Sequence, residues 1–263
     1  MNLSLTGKNA LVCGSSQGIG KAIAEELALL GANITLVARS ADKLANVMRG
    51  LDDSKGQNHQ YLIADFSNPD ELKKTLDAHL ENDGINYHIL INNTGGPPGG
   101  LAINARVEEY QEAFKKHLVC NHILVQSVLE GMKKNGYGRI INIISTSVKQ
   151  PLQELGVSNT IRGAVANWSK TLSNELGVYG ITVNNVLPGA TATDRLKSIV
   201  ESKAAKKGVS KNAVEEAMKD KIPLKRFAEP NEVAAAAAFL ASPAASYING
   251  INVPVDGGRT GSL

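Results

Sequence analysis

The sequence predicts a doubly wound α/β fold, a parallel sheet with helices on both faces, and three observations carry that prediction. Short β-forming runs alternate with amphipathic helical stretches from one end of the chain to the other. Several of these runs are continuously apolar, as strands buried on both faces require. A glycine-rich turn joins the first run to the first helical stretch. A length of 263 residues suits one such domain, and no repeat or linker breaks the rhythm, so residues 1–263 read as a single unit.

Taken in order, the strand expectations are 9–13, 34–38, 61–64, 88–91, 139–144, 182–186 and 251–255, seven in all. The helical expectations between them include 19–30, 70–80, 107–134, 159–178 and 232–240. In the third of these, Phe114, Leu118, Val125, Val128 and Met132 recur at helical spacing and predict a buried stripe. Ile161, Val165, Trp168, Leu172 and Leu176 do the same in the fourth, where Gly163, Ala164 and Ala166 permit close packing. Strict β/α alternation with right-handed crossovers then gives the parallel sheet.

Composition narrows the function classes. A chain that is 43% hydrophobic and 20% charged is an ordinary globule, and no apolar run approaches the ~20 residues of a membrane span. The net charge of +3 carries no nucleic-acid signature. The start, Met1-Asn2-Leu3-Ser4-Leu5, lacks a signal layout, and the two cysteines, Cys13 and Cys120, form no framework, so a reducing, cytoplasmic setting is expected. His117 and His122 stand five apart and face different ways on a helix, so no metal site is expected. The 191–226 segment carries ten Lys/Arg against five Asp/Glu. It reads as a helical, lid-like excursion, either a solvated face or a surface that attracts an anionic substrate or carrier.

The first chemical motif is Cys13-Gly14-Ser15-Ser16-Gln17-Gly18-Ile19-Gly20. A tight turn without side chains lets backbone N–H groups and a helix dipole meet a pyrophosphate. Gly14, Ser16, Gln17, Gly18, Ile19 and Gly20 are therefore candidate cofactor residues in a Rossmann-like fold. The second strand ends Leu36-Val37-Ala38-Arg39-Ser40. An NAD-specific site places an acid here to hold the ribose hydroxyls, but Ala38 stands at that position and Arg39 comes next. A guanidinium suits a 2′-phosphate, which predicts NADP(H) as the cofactor.

The Gly-x-x-x-Gly-x-Gly spacing of residues 14, 18 and 20 resembles the short-chain dehydrogenase/reductase family, and further motifs occur in that family's order. Ile91-Asn92-Asn93-Thr94-Gly95 is similar to its Asn-Asn-Ala-Gly signature, and Pro188-Gly189 with Thr193 to its Pro-Gly-x-x-x-Thr. Leu224-Lys225-Arg226, Phe239-Leu240-Ala241-Ser242 and Asp256-Gly257-Gly258 also fall on its patterns, while Cys13 replaces its usual threonine. The resemblance covers residues 5–258. It implies an adenine contact at Asp65, cofactor contacts at Asn93 and Gly95, and a nicotinamide amide held by Pro188, Gly189 and Thr193. Asp65 also reads as a helix cap, with Asn68 and Pro69 close behind. Gly96-Pro97-Pro98-Gly99-Gly100 is either a structural turn or a pocket rim. The family's assembly through the two long helices and the last strand implies a homo-oligomer, a tetramer.

The same resemblance exposes a departure. Ser145 matches the family serine that hydrogen-bonds the substrate carbonyl. Thirteen residues later the catalytic tyrosine is due and Ser158 stands there; four further on, where lysine is due, stands Arg162. No tyrosine lies between Gly138 and Tyr179. Arg162 shares the helical face of Ser158 and can fork onto two ribose hydroxyls as the family lysine does. His117 aligns with the asparagine that anchors the family's relay water; Asn121 lies one turn later and would need a helical shift. An imidazole titrating near ~6.5 could supply the proton, or His117 could be a core histidine bonded to a carbonyl. Ser145, Ser158, Arg162 and His117 are thus the candidate catalytic set. Two functions stay open. One is an NADP(H)-dependent reductase of a small or carrier-bound carbonyl, similar to the 3-oxoacyl-acyl-carrier-protein reductases, with an altered proton path. The other is an NADP(H)-binding pseudoenzyme acting as a sensor or partner subunit.

Overall fold

The computed structural model describes residues 1–262. Its strands are β1 (Asn9–Cys13), β2 (Asn33–Ala38), β3 (Gln60–Ile63), β4 (Ile89–Asn92), β5 (Gly138–Ile143), β6 (Ile181–Pro188) and β7 (Asn252–Val255). They form one sheet in the order β3-β2-β1-β4-β5-β6-β7, with every neighbouring pair parallel. The chain runs outward from β1 to β3, then returns to the other side of β1 at β4. That reversal opens a crevice at the carboxyl ends of β1 and β4, the place where such sheets bind ligands.

Side chains alternate between two cores as the pleat demands. Ala10 and Val12 of β1, Ile89 and Ile91 of β4, and Ile141 and Ile143 of β5 face one layer. That layer is built by α1 (Gly18–Leu29), α2 (Ala41–Arg49) and α9 (Pro230–Ala241). Leu11, Leu90 and Ile140 face the other, against α3 (Pro69–Asp83), α5 (Cys120–Asn135) and α6 (Gly156–Leu176). Leu90 has no exposed surface at all. Truncating such a residue to alanine costs about 2–5 kcal/mol, so the sheet centre is rigid ground for a site at its edge.

The buried carboxyl ends of the strands are tied by an asparagine ladder along the strand register. Asn92 donates to Asn142 at 2.8 Å, Asn142 to Asn185 at 2.9 Å, and Asn185 to Asn252 at 2.8 Å. Of these, only Asn92 belongs to a sequence motif.

The strands form within two residues of their expected limits. Three local features depart from expectation. The helix expected over 107–134 is not continuous: α4 (Val107–Phe114) passes through a single π turn, Lys115–Val119, before α5 begins. Phe114, expected in the buried stripe, is 44% exposed. α2 was not foreseen; Ser40 caps it, accepting from the Lys43 N–H. After β6, α7 (Asp194–Lys207) and α8 (Lys211–Lys219) pack on their own small cluster of Leu196, Val200, Ala204 and Val214. No helix among the described residues is long and apolar enough to cross a membrane. Both cysteines are free and buried.

Candidate active site

The turn after β1 is shaped by backbone conformations that only glycine adopts freely. Gly14 and Gly18 have φ of +60° and +58°. A Cβ at Gly14 would lie 2.7 Å from the Asn93 amide nitrogen, and one at Gly20 would collide with the Gly14 carbonyl oxygen. Asn93 in turn donates to the Cys13 and Gly14 carbonyls at 3.3 Å each, so the end of β4 braces the turn. Ser15, fully buried, accepts from the Val37 N–H at 3.0 Å and fixes the other side. Gln17 precedes α1 without a side-chain cap bond, which leaves the first-turn N–H groups to an anion.

Around this cradle the other cofactor candidates fall into place. The Thr193 methyl lies 3.4 Å from the Cβ position of Gly18, and its hydroxyl caps α7 by accepting from the Leu196 N–H. Gly189, after Pro188 at the end of β6, is tied by its N–H to the Val255 carbonyl at 2.9 Å and passes too close to Asp256 for any side chain. Gly95 meets nothing within 4 Å of its Cβ position. Arg39 is exposed at the end of β2. Its charge, after the Ser67 N–H bond at 2.9 Å, helps hold the Asp65 carboxyl below its ordinary value. Asn68, not Asp65, caps α3, accepting from the Glu71 N–H; Asp65 builds the preceding turn instead. Lys43 donates to the Gln17 side chain at 3.0 Å, a second cation beside the turn that sequence motifs did not single out. The residues present fit a phosphorylated dinucleotide: a side-chain-free cradle, uncapped amides and flanking cations.

The catalytic candidates gather where β5 meets α6. Ser145 leaves β5 in extended backbone, and its Oγ accepts from the Ser147 N–H at 3.1 Å, so its own hydrogen remains to donate. Arg162 is 8% exposed and donates through Nη1 to the Ile143 carbonyl at 3.0 Å, two residues before Ser145. Burial and the nearby Arg195 lower its pKa to about 10, which still leaves it charged at neutral pH. Its Nε is buried with no hydrogen-bond partner among the described residues. Ser158 sits half-buried one turn earlier on the same helix.

The surroundings of His117 work against the neutral-pH acid that its titration range suggested. The π turn adds a residue to the helix and rotates the residues after it, and both His117 and Asn121 are buried, 2% and 5% exposed. Burial, then the charges of Arg162, Arg195 and Lys116, push the imidazole down to about 2. That shift favours the neutral imidazole, whose remaining N–H is a weak acid. His117 borders a cavity of about 300 Å³ lined also by Gly95, Glu108, Glu109 and Glu112, with Gly96, Pro97 and Pro98 of the glycine-proline turn on its rim; Ser145, Ser158 and Arg162 do not line it. Arg195, which sequence motifs did not reach, stands on the first turn of α7 and donates to the Pro97 carbonyl at 3.0 Å. The only sequence signal for it was the basic excess after residue 191.

Residues 14–260 match the family model described as Enoyl-(Acyl carrier protein) reductase. The NADPH-dependent reductase BacG of Bacillus subtilis is 32% identical over 98% of this chain and 100% of its own length. The 3-oxoacyl-[acyl-carrier-protein] reductase FabG of Vibrio cholerae is 34% identical over 97% of this chain and 98% of its own. Among solved structures, L-sorbose reductase from Gluconobacter frateurii, complexed with NADPH and L-sorbose, superposes with a TM-score of 0.92. It is 31% identical and covers 100% of both chains.

Proposed function

The chain belongs to the short-chain dehydrogenase/reductase family and is an NADP(H)-dependent oxidoreductase of that type; on that premise we propose that it reduces a carbonyl compound along a proton path that uses no tyrosine. The single observation that carries the reading is Arg162, buried and anchored to the Ile143 carbonyl beside Ser145. It places a fixed positive charge next to the serine that would hold the carbonyl oxygen.

NADPH, when bound, would supply the hydride. Gly14, Ser16, Gln17, Gly18, Ile19 and Gly20 would hold its pyrophosphate, Arg39 with Lys43 its 2′-phosphate, and Asp65 its adenine. Asn93 and Gly95 would support the nicotinamide half, Arg162 its ribose, and Pro188, Gly189 and Thr193 its amide. Ser145 donates its hydroxyl hydrogen to the substrate oxygen, and Arg162 stabilises the charge that gathers there. Ser158 passes a proton onward but cannot originate one, since a serine hydroxyl is far less acidic than a phenol (~10). With the neutral form of His117 favoured, solvent water is the proton source. The substrate is a small or carrier-bound carbonyl, a reading supported by the likeness to 3-oxoacyl-[acyl-carrier-protein] reductases and to L-sorbose reductase.

Ser145→Ala should lower kcat by about 10²–10³-fold, the usual cost of one oxyanion donor, while NADPH binding followed by fluorescence stays as in the parent. An unaltered kcat would remove Ser145 from the chemistry and the reading with it.

A further inference from the structure

The segment between β6 and α9 leaves the body of the fold through a narrow neck. There Ala192 donates to the Ala228 carbonyl at 2.8 Å and Ala228 to the Ala190 carbonyl at 2.9 Å, so the two ends of the segment lie side by side. Beyond the neck, α7 and α8 pack Leu196, Val200, Ala204 and Val214 into a cluster separate from the two cores on the sheet. A unit with pinned ends and a small core of its own can move as one body about its neck. One tie runs from this unit to the C-terminal tail, Leu224 N–H to the Gly257 carbonyl, and at 3.3 Å it is long. A shorter one runs the other way: Arg195 Nη2, on the first turn of α7, donates to the Pro97 carbonyl at 3.0 Å in the loop after β4. In the sheet β4 and β6 flank β5. Strands lie about 4.8 Å apart, so the Arg195 contact bridges about 10 Å of sheet. It crosses the carboxyl end of β5, the strand from which Ser145 leaves. The loop it grips is already held on its far side, where Gly100 donates to the Glu154 carbonyl at 2.7 Å and accepts from the Gly156 N–H at 2.9 Å. Gly156 opens α6, the helix of Ser158 and Arg162.

We propose that Arg195 is a latch: its bond to the Pro97 carbonyl holds α7 and α8 against the loop after β4, and a carbonyl substrate enters and leaves when that bond breaks. Arg195 acts through Pro97 and is a positioning residue. The role as a substrate gate rests on the reductase reading; the latch itself does not. A backbone carbonyl suits such a device. The charged donor makes the bond worth more than a neutral one, while the uncharged acceptor and partial exposure keep it breakable. Met or Gln at position 195 would leave the neck and the α7–α8 cluster intact, since the Arg195 side chain belongs to neither. The tie to Pro97 alone would be lost.

Hydrogen exchange followed by mass spectrometry on the NADPH-bound protein tests the latch without any turnover. In Arg195→Met the amides of α7 and those of Gly99 and Gly100 should both exchange at least ~5-fold faster than in the parent, while β5 stays as it was. Arg195→Lys keeps a donor and should recover part of the protection. Unchanged exchange in both segments, or faster exchange in one of them alone, overturns the latch, because the two walls are then not coupled. Faster exchange throughout β5 as well would make the effect a general loss of stability and overturn it too. Steady-state kinetics tests the gate with whichever ketone or oxo acid the parent reduces. Arg195→Met should raise KM at least ~5-fold and leave kcat within ~3-fold, since the closed state that retains substrate is less populated. An unchanged KM, or a loss confined to kcat, would end the gate. Turnover of no carbonyl by the parent would end the reductase reading, and with it the gate, while hydrogen exchange would still decide the latch.

Discussion

Arg39 and Ala38 show how much a single position can say. The absent acid and the present guanidinium together point to a 2′-phosphate, and Arg39 stands exposed at the carboxyl end of β2, free to meet one. Arg39→Asp should weaken NADPH by about 1–3 kcal/mol through loss of a charge-assisted pair and gain of a repulsive one. NADPH binding to the variant unchanged in a fluorescence titration would move the 2′-phosphate elsewhere. The glycine turn and the strand that ends before Arg39 were legible because local patterns carry them. Ser15, Lys43 and Arg195 were not, because each gains its role from a partner far along the chain: Val37, Gln17 and Pro97. Asp65 was legible in place but not in structural role, since it and Asn68 are equally good cap residues by type and only the fold selects Asn68.

At the scale of elements, strand positions followed from apolar runs, and the two faces from alternation within them. The π turn at Lys115–Val119 did not, since the hydrophobic pattern of 107–134 is compatible with an unbroken helix. That turn carries His117, whose state is set by burial and the charges of Arg162, Arg195 and Lys116. Its folded pKa lies at about 2, far below the ~6.5 of an unfolded chain, so the ring is neutral throughout the working range. The pH–rate profile of the enzyme should therefore show no limb near ~6.5, and His117→Ala should not change its shape there. A limb near neutrality that disappears in His117→Ala would restore His117 as the acid. The same depression sets the sign for stability, because the folded state disfavours the protonated ring. His117, and His88 with a pKa lowered to about 4 by burial, contribute stability that is whole above ~6.5 and is lost on acidification. Thermal melts should fall as pH drops below that value.

The whole molecule leaves apolar surface that one copy does not cover. Val107 and Phe114 on α4 are 67% and 44% exposed, Val178 just past α6 is 82% exposed, and Tyr247 ahead of β7 is fully exposed. These positions lie on or beside the elements from which an oligomer was expected. We expect a homotetramer, seen as four times the 27.8 kDa chain mass by light scattering at micromolar concentration. A monomeric mass would remove the idea. The doubly wound parallel sheet was foreseeable from β/α alternation, whereas the strand order that opens the crevice between β1 and β4 is set by contacts distant in sequence. The approach of Arg162 and Arg195 to Gly96 was not foreseeable, because it joins α6, α7 and the loop after β4, three segments with no shared sequence signal.

The central claim is that a family fold without its tyrosine still reduces a carbonyl through Ser145, Ser158 and Arg162. It is tested most directly by following NADPH absorbance in the presence of a panel of ketones and oxo acids, beside an NADPH binding titration on the same preparation. NADPH should bind, and at least one carbonyl should be reduced with one NADPH consumed for each alcohol formed. The rate should be about 10²–10⁴-fold below that of an enzyme with a positioned phenolic acid. Tight NADPH binding with no carbonyl consumed across the panel would contradict the account and leave a nucleotide-binding sensor or partner subunit in its place.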